Sequence, residues 1–380
     1  MGLAGQVTAP AQVSALPVLR EVRQIRVLTR EQARMGYPVH LRATVTYFDE
    51  FGPNWFIKDA TGGQWVQWEA GMPKPEPGQR IEIDGITRQT GFGPDVGHPR
   101  WKVLGKGALP DPEKVSYEQM ASTTKDGQWV ETEGIVRGAY VESKAGLLRM
   151  VLSVNGNRVM AQTPVYDRVP LDLVDARIRI RGNCGAIFNQ KSQFLGPIIH
   201  MPSLGMVTLL KAPPARPFDG AAVPIGDLLR FGHAGAAEHR LHISGTITAV
   251  EQNAGFFVTD GAGSLHVETS GTAELRAGDT VDVLGFPSVA DERPSLVEST
   301  VRVLRRGAAP APARIATDQA LDGRYDSVLV TIEGRLKFCR CCRKKPSWCY
   351  GTATACSRPF PKANRAKPIS PVCARGATSG

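Results

Sequence analysis

Three histidines close together in sequence, His239, His242 and His266, and the single cysteine of the first 336 residues, Cys184, are the groups to weigh as metal ligands or as a nucleophile. The three histidines form no recognised ligand motif. His242 aligns with His40 in a repeated strand, at a position alternating with the apolar residues, so both read as solvent-facing. Cys184 sits in RGNCGA, where flanking glycines would admit a close backbone approach. No motif supplies it a His or Asp partner, and a lone Cys of this kind reads as a small packing residue. The segment GFGPDVG (91–97) lacks dinucleotide-loop spacing and follows no parallel βαβ pattern. Without paired carboxylates, a triad or a metal set, the expectation is a non-enzymatic protein with no cofactor and no metal. What remains is aromatic. Trp55, Trp65, Trp68 and Trp101, joined by Phe48, Phe51 and Phe56, crowd into about 50 residues; a β-barrel can present such rings to stack on bases or sugars. These tryptophans are the candidate ligand face. Trp65 is the leading contact, because it aligns with His266 in a repeat and so reads as a surface position. Trp65 and Trp68 fall on opposite faces of an ideal strand, which sends at least one into the core.

The elements that would position these rings recur along the chain, and internal repeats govern the fold assignment. Phe56–Val66 reads FIKDATGGQWV and Phe257–Val267 reads FVTDGAGSLHV, each an apolar pair, an Asp, a small-residue turn and a second strand. That is a hairpin whose Asp and Gly shape the turn. PGQRIEIDG (77–85) matches AGDTVDVLG (277–285), with the period-two alternation of a half-buried strand. The opening strands VHLRATVT (39–46), WVETEGIV (129–136), LHISGTIT (241–248) and VLVTIEGRL (328–336) each hold a small residue, Ala43, Gly134, Gly245 or Gly334. These markers lie 91, 111 and 89 residues apart, so the second module carries extra length. The internal small residue is expected to mark the bend of a strand serving two sides of a small barrel. Short helical segments precede the opening strands at 28–35, 116–120, 225–229 and 317–321, the first two with capping-box spacing at Thr29/Gln32 and Ser116/Gln119. The fold class is therefore read as all-β, tandem OB-like five-stranded barrels with short helical turns between modules, in preference to an immunoglobulin-like sandwich, for which the strand count falls short of seven. The modules span 24–112, 113–217 and 218–313, a truncated fourth starts at 314–336, an arm occupies 1–23 and a tail 337–380.

Charge separates the modules from the tail. The formal net charge is +10, yet ten Lys/Arg and no Asp/Glu lie between Lys337 and Gly380, leaving 36 basic and 36 acidic residues before them. A balanced array disfavours nucleic acid, whose phosphates need a basic track. Six of the seven cysteines are also in the tail: Cys339, Cys341, Cys342, Cys349, Cys356 and Cys373. The Cys339/Cys342 pair permits a zinc reading, but the second pair lacks CxxC spacing and the surroundings are basic. A disordered tail is the plainer alternative. The all-basic composition without a core-forming pattern fits an out-of-frame terminus best, which would leave three strands of the fourth module missing. No apolar run is long enough to span a membrane, and residues 1–12 resemble a cleavage region without a basic or apolar signal segment.

PVHLRATVTYFD, FIKDATGG, DARIRIRGNCGAIFN (175–189) and YDSVLVTIEGRL together resemble the OB-like repeat region at the front of some bacterial membrane-bound sensor histidine kinases, over about 24–336. The resemblance implies an extracytoplasmic sensory region, with the membrane reached only through segments beyond this sequence. It carries over no functional residues and no kinase. The function expected is ligand binding or sensing of a small molecule, glycan or protein. The alternative is single-stranded nucleic-acid binding by the same barrels.

Overall fold

The computed structural model describes residues 16–91, 93–191, 193–230, 238–269, 272, 274–290, 293–321, 323–334, 336–338 and 348–350. Two short helices, α1 (Val22–Arg26) and α2 (Arg30–Arg34), precede a first barrel of β1 (Pro38–Asp49), β2 (Asn54–Lys58), β3 (Gly63–Val66), β4 (Gln79–Gln89) and β5 (Pro94–Lys106). It closes in the order β1-β2-β3-β5-β4. Only the β3–β5 pairing is parallel, and closure leaves no sheet edge unpaired. Along β4, Ile81 and Ile83 are buried while Arg80 and Asp84 are exposed, as the alternation requires.

The middle barrel follows β6 (Glu113–Lys114) and α3 (Tyr117–Ala121), and comprises β7 (Trp129–Glu142), β8 (Leu147–Val154), β9 (Asn157–Thr163), β10 (Arg177–Phe188), β11 (Phe194–His200) and β12 (Val207–Lys211). The same circuit closes through the β10–β7 pairing. Its extra length has two sources. Strands β7 to β9 are longer than their counterparts, and the fifth strand breaks at residues 201–206 before resuming as β12 against Arg177–Ile180. Helix α4 (Ile225–Arg230) leads into the third barrel, β13 (Leu241–Glu251), β14 (Gly255–Thr259), β15 (Ser264–Glu268), β16 (Thr280–Ala290) and β17 (Arg293–Arg305), again closed in the first barrel's order. All-β architecture with closed five-stranded barrels is thus the observed fold, and each barrel has its own apolar core.

The small residues in the opening strands do a different job from the one expected. The register shifts of the first strands fall at Val45/Tyr47, Val136/Gly138 and Ile247/Ala249, beyond the small residues. A Cβ on Gly134 would lie 2.6 Å from the Ser153 carbonyl oxygen, and one on Gly245 2.6 Å from that of Thr259. Close backbone approach of the second strand, and not the bulge itself, demands glycine there.

The hairpin Asp of the repeated motif ties each hairpin to the preceding helix. In the first barrel Asp59 Oδ1 accepts from the Thr61 and Gly62 amides (2.7 and 2.9 Å), while Oδ2 accepts from Val22 N at the start of α1 (2.8 Å). In the third, Asp260 Oδ1 accepts from Ala262 and Gly263 (2.9 and 2.8 Å) and Oδ2 from Ile225 N of α4 (2.7 Å). One carboxylate thereby shapes a turn and caps a helix. The middle barrel turns instead on Asn155-Gly156, both at positive φ (51° and 77°), as a two-residue hairpin requires. The capping boxes at Thr29/Gln32 and Ser116/Gln119 are formed. Helix α1, which the sequence reading did not include, starts where Asp59 supplies the cap. At 317–321 only a 3-10 turn, Gln319–Leu321, forms.

The chain from Ala311 onward is a second unit. Within it, β18 (Ala313–Arg314) pairs in parallel with β19 (Val330–Thr331), as Glu113 pairs with Val130 in the middle barrel. Ser327 takes a φ of 61°, matching Gly36 (72°) and Gly127 (75°) ahead of the first and second opening strands. In these two features the start of the second unit matches the start of the middle barrel. The expected strand over 328–336 is described only as β19, and a short ladder of β20 (Leu336–Phe338) with β21 (Trp348–Tyr350) lies where no strand pattern was expected. The CxxC of the tail, most of the tail and the arm up to Ala15 lie outside the described residues. Among the described residues no helix is long and apolar enough to cross a membrane.

Asp59→Ala and Asp260→Ala should each lower the unfolding free energy by about 1–2 kcal/mol, the cost of a lost helix cap with its turn bonds. Urea titration of each variant checks this. For Asp260, burial raises the carboxyl pKa, but the amides of Ile225, Gly263 and Ala262 together outweigh it and the net shift is downward. Its contribution is present above the ordinary carboxylate range and fades as pH falls through it.

Candidate functional site

The β2–β3 hairpin of the first barrel packs against the segment just ahead of β7. Gly63 N donates to Gln128 Oε1 (3.0 Å), and Gln128 Nε2 donates back to the Gly63 carbonyl (3.2 Å). A Cβ on Gly63 would sit 2.1 Å from the Gly127 carbonyl oxygen, so the two backbones meet only because position 63 has no side chain. Arg26, at the end of α1, reaches across with Nη1 to Asp126 O (2.8 Å) and Nη2 to Thr124 O (3.4 Å).

Beside this contact lies a cleft of about 790 Å³, within the ~300–1,000 Å³ span of small-molecule sites. The first barrel lines it with Asn54, Phe56, Gln64 and Trp65 of β2 and β3, and with the β1–β2 and β4–β5 loops at Phe51, Gly52, Thr90, Gly91 and Gly93. In OB barrels the strand 2–3 face and these two loops are the binding surface. The middle barrel supplies the opposite wall, including Asp126, Glu142, Arg149, Gln162 and His200.

A buried polar cluster backs the cleft. Asp49 accepts from Tyr47 Oη (2.9 Å), Gly52 N (2.7 Å) and Asn54 Nδ2 (3.0 Å). His200 of β11 packs between Tyr47 and Phe56, with ring centroids 5.2 and 5.4 Å away, and its Nδ1 lies 3.1 Å from Gln162 Nε2, so that nitrogen is the acceptor. Burial pushes the His200 imidazole down to about 4, against a weaker opposing pull from Asp49. Burial likewise pushes the Asp126 carboxyl up to about 6, with Arg26 and the Gly127 amide offsetting part of the shift. The Tyr47 hydroxyl is raised by burial and by Asp49.

Of the four candidate tryptophans, Trp65 lines the cleft and the other three lie outside its lining. Trp55 is fully buried in the first barrel's core, 5.5 Å from the Trp101 ring, which is a correction to its place on a ligand face. Trp101 and Trp68 are half-buried against the same core, Trp68 edge-on to Phe48 at 5.3 Å with its Nε1 donating to Pro73 O (3.3 Å). Trp65 opposite Phe56 occupies the register of His266 opposite Phe257, so the two are structurally equivalent. The sequence reading missed His200, Gln162, Asp126 and Gln64. No motif marks them, and only the docking of two barrels brings them together.

The remaining reactive candidates are dispersed. His40 and His239 lie 2.7 Å from Asp84 and Asp175 respectively, His242 donates to Gly220 O (2.8 Å), and His266 packs on Phe257 at 4.9 Å. His242 is shielded from solvent by Phe218, 5.7 Å away, where an open position was expected. Among the described residues no three His, Cys, Asp or Glu gather to hold a metal. Cys184 is buried in the middle barrel, and burial pushes its thiol up to about 12.

No protein-family model and no curated protein matches the chain. Among solved structures it is similar to the tetrameric p202 HIN2 (11% identity, 47% of this chain and 94% of that one, TM-score 0.24). It is also similar to the p204 HINb domain (11%, 45% and 95%, 0.21) and to the Ifi202 HINa domain in complex with 20bp dsDNA (12%, 45% and 94%, 0.20). At these scores the fold assignment rests on strand order and register alone.

His200 and Asp126 oppose each other in pH. The folded chain refuses a proton at His200 until about 4, whereas the unfolded chain accepts one near ~6.5, so this residue costs stability as pH falls across that window. Folded Asp126 accepts a proton at about 6, well above the ~3.9 of an unfolded Asp, and so gains stability over much of the same range. Relative to the parent chain, Asp126→Asn should steepen the loss of stability between pH 7 and 5, and His200→Gln should reduce or reverse it. Urea midpoints across this range decide, and indistinguishable slopes in all three chains would refute the assignment.

Proposed function

We propose that this chain is a non-enzymatic ligand-binding array, the sensory region of a bacterial signalling protein lying outside the cytoplasmic membrane, and that the cleft between its first two barrels receives the ligand. The observation that carries the reading is the convergence on one cleft of Trp65, the strand 2–3 face and both adjoining loops of the first barrel, closed by a wall of the middle barrel. A ligand there touches two modules at once and favours the state in which they are docked. That is the requirement for converting binding into a conformational signal. The sensory assignment itself is supported by the resemblance of residues 24–336 to the OB-like repeats of bacterial sensor histidine kinases.

Single-stranded nucleic acid is the weaker occupant. The arginines that alternate along β10 are already engaged: Arg179 lies 2.8 Å from Glu133, Arg181 2.8 Å from Glu131, and Arg177 3.3 Å from Glu133. A stripe neutralised in this way offers little counterion release to a phosphate backbone.

Thermal-shift screening of the full chain against small molecules, glycans and an oligothymidine tests the proposal. A ligand present at ~100 times its Kd should stabilise the chain by about 2.7 kcal/mol, with little dependence on salt. Trp65→Ala should lose most of that shift while Trp68→Ala keeps it. A steeply salt-dependent shift from the oligothymidine alone would favour the nucleic-acid reading.

A further inference from the structure

Resting on the cleft assignment above, we propose that the ligand is an uncharged carbohydrate, a short oligosaccharide stacked on Trp65 and held by the amides and carboxylates around it. Charge is the first ground. The cleft lining holds two cationic side chains, Arg26 and Arg149, and three carboxylates, Asp95, Asp126 and Glu142, of which Asp95 is already paired with Arg88 (2.9 Å). Both arginines are committed. Arg149 pairs with Glu142 (2.5 Å), and Arg26 spends its donors on the carbonyls of Gly63, Thr124 and Asp126. A phosphate, sulfate or carboxylate ligand would meet the Asp126 carboxylate and, among the lining residues, no cation with donors left to receive it, so its desolvation would go uncompensated.

Gln64 supplies the second ground. It is 3% exposed, and its Nε2 donates to the carbonyls of Trp65 (3.1 Å) and Pro94 (2.9 Å). Two acceptors fix the amide orientation, because a flipped group would set oxygen against oxygen. The Oε1 is left buried with no donor from the protein. An unsatisfied acceptor of this kind calls for a donor from outside the chain. Asp126 adds a carboxylate that the Arg26 charge and the Gly127 amide stabilise only in part against its burial. Sugar hydroxyls donate to amide and carboxylate oxygens alike, and the C–H face of a pyranose covers an indole. The half-buried Trp65 and the exposed Phe51 provide such platforms on the cleft wall.

The experiment is a binding survey of the full chain on an array carrying neutral and acidic glycans, with an oligothymidine measured in parallel by fluorescence anisotropy. The variants are Trp65→Ala and Gln64→Leu, each first shown by thermal unfolding to be folded. Expected are signals confined to neutral glycans, unchanged between about 50 and 200 mM salt, and weakened about tenfold or more by Trp65→Ala. Gln64→Leu should also weaken them. Binding only of acidic glycans or of the oligothymidine, lost on Trp65→Ala, overturns the carbohydrate class and leaves the cleft in place. Neutral-glycan binding untouched by both variants overturns the cleft itself. No signal from any glycan overturns the proposal.

Discussion

One carboxylate per barrel, set in the turn between the second and third strands, governs how the first and third modules are put together. Asp59 and Asp260 each satisfy two turn amides and the first free amide of a short helix. Helices of five or six residues have almost no stability of their own. Pinning the helix start to the hairpin turns two weak local structures into one rigid corner. In the first module that corner fixes Arg26 and Gly63 together, and these are the groups that meet the next barrel.

Docking changes the burial arithmetic of the sheet. An isolated barrel buries alternate residues and wets the rest, yet in β2 Trp55, Phe56 and Ile57 are all buried. Trp55 and Ile57 point into the barrel's own core, whereas Phe56 is covered by His200 of the neighbour. The second and third barrels meet in a related way but through different chemistry. The turn amide of Gly156 donates to Glu238 Oε1 (3.0 Å), Arg137 pairs with Glu298 (2.7 Å) and lies over the Phe286 ring at 4.7 Å.

These two facts explain what could be read from the sequence. The hairpin Asp, the paired glycines, the alternating strands and the capping boxes are local, so their chemistry is written in adjacent residues. The equivalence of Trp65 and His266 was legible because both stand opposite a phenylalanine in the same hairpin. Trp55 was misplaced because only the direction of β2 relative to the core tells the inner from the outer aromatic. The cleft was not legible at all. Gln162 and His200 lie 97 and 135 residues beyond Trp65, and nothing near them in sequence says that they face it. The bulge position was missed for a related reason: glycine marks where a neighbouring strand comes close, which need not be where the register shifts.

Gly63 carries a consequence for how such an array can change over time. Its turn fits a receiving segment, Gly127-Gln128, that is built for a bare backbone and an amide side chain. The next turn fits a segment that presents a carboxylate from Glu238. The middle barrel is thus entered through one kind of joint and left through another. A barrel copied or exchanged by recombination would carry its outgoing turn to a neighbour with the wrong receptor. A module exchanged at either joint would keep its fit only if the turn and the segment that receives it moved together.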